Sequence, residues 1–255
     1  MKFIAIVLLL TCQFVAVGQT SIYIIGTVHP QSRNFNPDSI LTILDKLKPD
    51  LILLELDSSS FDKDLNLSTS VRTNEILGTK KYVSRHPTPV RPYDIKARSA
   101  TRGIVKVEGE ALERIRLMQW ELASSQRQTY MDFAKSNEEL VTYLRKKPRD
   151  INTKYVNDLV ERNQVLMYKG LLDIIDSRAE LQDLRVGYRQ CGVYWDWRNR
   201  KMVENTLLFL KADTLRNKTI ALFTGFFHKY YFLHELQSKE SSVGFVVKEY
   251  YRAKE

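Results

Sequence analysis

Cysteine, glycine and proline are all scarce in this chain of 255 residues, which contains 2 Cys, 10 Gly and 7 Pro. Two cysteines exclude a fold built on several disulfide bridges, and so few glycines exclude collagen-like and glycine-linker architectures. Three nucleotide and hydrolase motifs are absent as well: Gly-x-Gly-x-x-Gly, the phosphate loop and Gly-x-Ser-x-Gly. Nucleotide binding or serine hydrolysis by those routes is therefore not expected.

What the chain does contain is the composition of a globular protein, with 44% hydrophobic and 27% charged residues. Its length suits one domain with a sizeable core. The net charge of +9 is mostly dispersed, but residues 80–106 hold eight Lys or Arg and a single acid, Asp94. This basic segment is interpreted either as a solvated face or as a wall that attracts anions beside a pocket.

The N-terminus has the pattern of a secretory signal peptide. A positively charged start precedes a nearly continuous apolar run over residues 3–17. Small residues at the end of this run, up to Gly18, are typical of a signal-peptidase cleavage site. We predict a signal peptide over residues 1–18 and an exported protein, periplasmic or secreted. A first buried strand and a lipoprotein anchored through Cys12 are the alternatives. No transmembrane segment is expected in the mature chain, and an exported protein has little reason to bind nucleic acid.

The first third of the chain predicts parallel strands. A β-branched run over residues 22–25 ends at Gly26, a helix follows over residues 36–47, and a second apolar run covers residues 51–54. Strand, helix and strand in this order form a βαβ unit. A third strand, irregular or at an edge because of its prolines, is predicted over residues 90–95.

The rest of the chain predicts a helical insertion followed by a second strand-helix-strand unit. Residues 104–185 carry apolar residues at helical spacing. Four elements are expected after this block: a helix from Asp196 to about Leu215, a strand over 219–224, a helix over 229–238 and a strand over 243–247. The predicted fold class is α/β (mixed α+β), with a central, largely parallel sheet, an inserted helical block and a single domain over residues 19–255.

Two copies of one short pattern follow predicted strands. Gly26 precedes His29 by three residues, and Gly225 precedes His228 by the same spacing. Loops beyond the carboxyl ends of parallel strands line the crevice where such sheets bind ligands, and glycine allows a sharp turn there. If the two strands are neighbours, both imidazoles converge, where each could ligate a metal or transfer a proton.

Acidic residues follow the second strand at the same predicted edge. Glu55 ends that strand and Asp57 lies two residues further. Two histidines and a carboxylate form a ligand set for a divalent transition metal such as Mn, Co or Zn. Glu55 is predicted either as a ligand or proton acceptor or as a helix-capping acid. Asp57 is interpreted as a supporting residue of the site or as a loop cap.

A cationic dipeptide, Arg198-Asn199, precedes the second motif on a predicted helix. Arg198 lies four residues before Met202, so a cation shares a stripe with an apolar residue. Its stem could extend along the surface with the charge in solvent, or its guanidinium could clamp a carboxylate or stabilise an oxyanion. We predict the second role, with Asn199 as a supporting residue.

These motifs resemble the TraB/TIKI superfamily, which includes the GumN-like, erythromycin-esterase-like and ChaN-like proteins. The resemblance covers about residues 21–250 and implies a mixed α/β fold whose pocket holds both histidines, Glu55 and Arg198. Some members resemble manganese- or cobalt-dependent proteases, esterase-like members hydrolyse a lactone, and ChaN-like members bind haem. Phe226 and Phe227 depart from the family pattern, in which small residues are usual within the second motif.

Three functional hypotheses follow from these observations. The first is an exported hydrolase, metal-dependent and peptidase- or esterase-like. It acts on a peptide or small-molecule substrate, which is anionic in one version of the hypothesis. The second is a non-catalytic protein that binds haem or another anionic small ligand through a histidine and the basic segment. The third is an envelope interaction protein whose helical block is the working surface.

Overall fold

The computed structural model describes residues 19–96 and 101–252, with no side-chain description for residues 101–105 and 213. The predicted signal peptide, with its alternative lipid site at Cys12, lies outside the described residues. Among the described helices, none is long and apolar enough to cross a membrane.

The described chain alternates strands and helices at both ends and is helical between them. The β-strands are β1 (Thr20–Thr27), β2 (Leu51–Leu54), β3 (Val90–Pro92), β4 (Thr219–Gly225) and β5 (Phe245–Lys248). The helices before the last two strands are α1 (Pro37–Leu47), α2 (Asn74–Val83), α3 (Thr101–Leu117), α4 (Ser124–Tyr143), α5 (Pro148–Ile151), α6 (Lys154–Val165), α7 (Leu171–Ser177) and α8 (Arg185–Leu210). Two more follow β4, namely α9 (Phe226–Gln237) and α10 (Glu240–Val243).

The five strands form one parallel sheet in the order β3-β2-β4-β1-β5. The predicted mixed α/β class with a parallel sheet is therefore confirmed. β1 and β4 are neighbours, and their register pairs Gly26 with Thr224 and Thr27 with Gly225. This pairing places the two glycine motifs side by side at the carboxyl edge of the sheet.

The three central strands, β2, β4 and β1, are buried on both faces of the sheet, which explains why each contains a largely apolar run. On one face Ile25, Leu54 and Phe223 pack in the same cluster as the apolar sides of α1 and α6. On the other face Ile24 and Leu222 pack in a second cluster with residues of α8 and α9. Alternate residues of each strand thus enter opposite cores, as the period of two requires.

The predicted helical block forms a third apolar cluster, built from α3, α4, α7 and the start of α8. A π-helical segment, Leu166–Gly170, continues α6 and runs directly into α7. Tyr168 lies in this segment, and its ring is 5.9 Å from the Trp195 ring on α8. The block therefore contacts the middle of α8 through aromatic rings.

Several predicted boundaries are wrong. Asp196 does not cap a helix, because α8 begins at Arg185 and continues through it to Leu210. The glycines before Asp196 weaken the helical pattern, but they allow close packing. A Cβ at Gly192, for example, would lie 3.3 Å from Tyr168 Cβ. The helix after β4 begins at Phe226 rather than residue 229, so His228 is helical. β3 ends three residues before its predicted limit. β5 begins two residues later and ends one residue later than predicted, and α8 ends at Leu210 rather than near Leu215.

Candidate functional site

Polar side chains follow four neighbouring strands at the carboxyl edge of the sheet. Across the edge they are Asp94 after β3, Glu55 after β2, His228 after β4 and His29 after β1. Helix α8 brings Arg198 to the same edge, where its guanidinium contacts three of these four side chains. The sheet order, rather than any sequence proximity, assembles this cluster.

The two histidines meet at Gly225. A methyl group built on this glycine would lie 3.6 Å from His29 Nε2, 3.5 Å from His228 Cδ2 and 3.5 Å from Glu55 Oε2. The backbone at Gly225 has φ −53° and ψ 135°, a conformation open to any residue. The absence of a side chain at this position therefore leaves space between the three groups.

His29 is oriented by a carboxylate that the sequence did not reveal. Its Nδ1 donates a hydrogen bond to Glu75 Oε1 on the first turn of α2. A carboxylate can only accept, so this contact assigns the Nδ1 proton to His29. In the neutral tautomer that follows, Nε2 is the acceptor nitrogen, and it is the ring atom nearest Gly225. Asn74 fixes the loop around His29, because its Nδ2 donates to the carbonyls of Val28 and Pro30 at 2.7 and 2.9 Å.

Glu55 is buried and held as an ionised carboxylate. Its Oε2 accepts from the Gly225 amide at 2.6 Å and from Thr224 Oγ1 at 3.0 Å, and its Oε1 accepts from Arg198 Nη2 at 2.7 Å. Burial raises the pKa of this carboxyl. The charge of His228, which is protonated only in the acid range where Glu55 would titrate, and the charge of Arg198 outweigh burial and hold the pKa of Glu55 well below its usual range. An acid so strongly stabilised as its anion is a weak proton acceptor.

Arg198 is the cation at the centre of the cluster. Nε and Nη2 donate to the two oxygens of Asp94 at 3.1 and 2.8 Å, a bidentate pair, and Nη2 also donates to Glu55. Only 11% of the Arg198 side chain is exposed, and the Asp94 side chain is fully buried. Burial opposes the charge of Arg198, yet these two carboxylates raise its pKa above the ordinary value.

His228 is buried and neutral. Its Nδ1 donates to Asn199 Oδ1 at 2.5 Å, and its Nε2 accepts from Arg198 Nη1 at 3.0 Å. Its ring stacks on Trp195, with centroids 4.3 Å apart. Burial lowers the pKa of His228 to about 4, with the charge of Glu55 acting in the opposite direction. The lone pair of this imidazole is therefore engaged with the guanidinium.

The predicted metal ligands do not fit a bound metal in this arrangement. A metal needs lone pairs directed at one point, but Arg198 donates to both His228 Nε2 and Glu55 Oε1. Within residues 19–96 and 101–252, no three or more His, Cys, Asp or Glu side chains are grouped so that they could hold a metal ion. The requirement for Mn, Co or Zn stays a prediction, as does haem binding.

Three other predicted features lie outside the cluster. Asp57 caps a short 3₁₀ turn, where its Oδ1 accepts from the Ser59 amide at 2.8 Å. Phe226 and Phe227 pack against the core on the α1 side of the sheet. In the predicted basic segment, Lys81 pairs with Asp38 at the surface of α1.

Three residues of the cluster were missed: Glu75, Asp94 and Trp195. Asp94 could have been predicted from the sequence, because it lies within the predicted third strand and is the only acid of the basic segment. No sequence pattern points to Glu75, since its approach to His29 depends on how α2 packs against α1.

Comparisons of the chain with models of protein families, with curated proteins and with solved structures found no match. The resemblance to the TraB/TIKI superfamily therefore stays a prediction, carried by the two glycine-histidine motifs and their partners.

Proposed function

We propose that the chain is a hydrolase that cleaves an ester, lactone or amide with a water molecule activated by His29. The observation that carries the proposal is the convergence of His29 Nε2, His228 and Glu55 within 3.6 Å of one position beside Gly225. A base oriented by a carboxylate and a fixed cation near the reacting carbonyl are the two devices that acyl hydrolysis requires.

His29 is the general base in this proposal. As the oxygen of water bonds to the carbonyl carbon, one water proton moves to His29 Nε2 and the carbonyl π electrons move to the carbonyl oxygen. The buried Glu75 carboxylate stabilises the imidazolium that forms, and its hydrogen bond to Nδ1 keeps the ring oriented. When the tetrahedral intermediate collapses, the bond to the leaving group breaks and the leaving group takes the proton from Nε2.

Arg198 supplies a fixed N–H donor for the oxyanion in this proposal. Four of its five N–H groups have partners in Asp94, Glu55 and His228, which hold the guanidinium rigid. The remaining N–H belongs to Nη1, the nitrogen that contacts His228. A preorganised donor of this kind stabilises developing charge without reorganisation cost, and losing one such donor lowers kcat by roughly 10²–10³-fold in other hydrolases.

His228 orients Arg198 rather than accepting a proton. Its lone pair accepts from Nη1, and its low pKa keeps the ring neutral near pH 7. The two histidines of the paired motif therefore have different roles, because they share one reaction space but differ in their partners. No step of this mechanism uses a metal.

Export is part of the proposal and depends on residues 1–18 alone. A protein directed out of the cytoplasm would meet peptides, esters and lactones of the envelope or medium.

The proposal is tested by hydrolysis of three neutral substrates: an aryl ester, an aryl lactone and a fluorogenic peptide. We expect at least one to be hydrolysed and His29→Ala to lower kcat by about 10²–10⁴-fold. The matched control is His86→Ala, because His86 is also paired with an acid, Asp45, but is 53% exposed at the surface. Full activity of a folded His29→Ala protein would show that the assignment is wrong.

A further inference from the structure

A buried lysine follows the second histidine directly. Lys229 lies on the first turn of α9 and has no exposed surface. Its Nζ donates to Asn152 Oδ1 and to Glu249 Oε2, both at 2.8 Å. Burial lowers the pKa of the Lys229 ammonium, and the charge of Glu249 opposes that change. A buried ammonium is costly unless it is paired, so this contact has to be maintained in the folded chain.

Asn152 connects this lysine to the first histidine motif. Its Oδ1 accepts from the Gly26 amide at 2.7 Å as well as from Lys229, and its Nδ2 donates to the Gly26 carbonyl at 2.9 Å. A further hydrogen bond from Nδ2 reaches the Pro148 carbonyl at 2.8 Å. Every donor and acceptor site of this fully buried amide is thus used.

Gly26 is the point at which these groups meet. A Cβ on Gly26 would lie 3.2 Å from Asn152 Oδ1, 3.2 Å from Phe226 Cβ and 3.3 Å from Lys229 Cδ. These distances are tighter than ordinary van der Waals contact, so the glycine permits the first turn of α9 to pack directly on the end of β1. His29 is three residues beyond this contact, and His228 is immediately before Lys229.

We propose that Lys229 is a positioning residue, which through Asn152 and the Gly26 peptide sets the separation of His29 and His228. The kinetic part of this inference rests on the proposed hydrolase function, whereas its structural part does not. Through Glu249 the same ammonium also ties the segment after β5 to α9.

Stability alone is a weak reason for a buried, ion-paired lysine at this place. Replacing a buried ion pair by apolar groups of similar size is often neutral or stabilising. A directional cross-link between two loops, by contrast, defines their separation in a way that apolar packing does not. The inference therefore predicts that an apolar replacement affects site geometry more than the free energy of unfolding.

The test compares wild type with the Lys229→Met/Glu249→Gln double variant, which removes both charges and leaves no unpaired ion. Lys239→Met is the control, because Lys239 also pairs with a glutamate, Glu235, but at the surface. We measure kcat and KM on the substrate that wild type hydrolyses, Tm, and the imidazole NMR signals of the four histidines. We expect kcat to fall by about 10²-fold, as misplacement by an ångström does elsewhere, with KM and Tm close to control values.

The NMR signals separate this inference from the hydrolase proposal. The signals of His29 and His228 should shift in the double variant while those of His86 and His234 do not, whether or not wild type hydrolyses anything. A lower Tm with unchanged signals of all four histidines and unchanged kcat would overturn the inference. If the double variant does not fold, Glu249→Gln alone is the test, and we expect it to give smaller shifts of the His29 and His228 signals. Unchanged signals of these two histidines in that variant would also overturn the inference.

Discussion

Gly225→Ala tests the geometry of the site with a single methyl group. The added carbon would lie 3.5 Å from His228 Cδ2, 3.5 Å from Glu55 Oε2 and 3.6 Å from His29 Nε2. These are ordinary contact distances, and the backbone φ of −53° suits alanine, so no atom has to move. The methyl group nevertheless occupies the space where the attacking water and the carbonyl have to meet.

We expect stability and activity to respond in opposite ways. Gly225→Ala should leave the free energy of unfolding unchanged or raise it by about 0.4–1 kcal/mol, because alanine lowers the entropy of the unfolded chain. Hydrolysis should fall by at least about 10²-fold, since His29 Nε2 no longer reaches a correctly placed water. Urea denaturation and steady-state kinetics on one preparation measure both quantities.

Gly26→Ala is the matched control, since it alters the other glycine of the pair. Its methyl group would lie 3.2 Å from both Asn152 Oδ1 and Phe226 Cβ, so these neighbouring atoms would have to move apart. We expect a loss of about 1–3 kcal/mol in unfolding free energy. If Gly225→Ala keeps wild-type activity, or loses stability to the extent that Gly26→Ala does, the site geometry described here is wrong.

Four other predictions address the partners of the histidines. Glu75→Gln should lower kcat by about 10²-fold or more at unchanged Tm, because the amide no longer stabilises the His29 imidazolium; steady-state kinetics at pH 7 would show the loss. Arg198→Met should cost about 3–5 kcal/mol in urea denaturation against a Lys201→Met control, because two buried carboxylates lose their cation. Folding lowers the pKa of His228 from 6.5 to about 4, so between these pH values only the unfolded chain gains a proton at this residue. The unfolding free energy should therefore decrease by roughly 3 kcal/mol from pH 7 to pH 4. The decrease should be smaller in His228→Gln. Chelator treatment should leave the hydrolytic rate unchanged, with metal content well below one ion per chain; a rate that is lost and then restored by Mn, Co or Zn would support the metal-dependent prediction.

The strands were predictable because burial on both faces of a parallel sheet requires continuous apolar runs. Leu51–Leu54 matches the prediction at both ends. The helix predicted over residues 36–47 is α1, which begins at Pro37 after an Asn36 cap. The start of α8 was not predictable from local pattern, because its glycines are accommodated by tertiary contacts such as that between Gly192 and Tyr168. Local propensity is overridden there by packing across the helical block.

The site was predictable where its residues follow strands and unpredictable where helix packing brings them in. The duplicated spacing identified His29 and His228, and sheet topology then placed them together. Glu75 and Lys229 act through contacts between elements far apart in sequence, which no spacing encodes. The bidentate pairing of Arg198 with Asp94 is a further contact of this kind, and it changes the chemistry expected of the neighbouring groups.

The most direct measurement is a double-mutant cycle on kcat/KM with His29→Ala, His228→Ala and the combined variant. If both imidazoles serve one reaction space beside Gly225, each single variant loses at least about 10²-fold and the combination loses little more than the worse single variant. Losses that multiply, or a folded single variant with wild-type kcat/KM, would contradict the account.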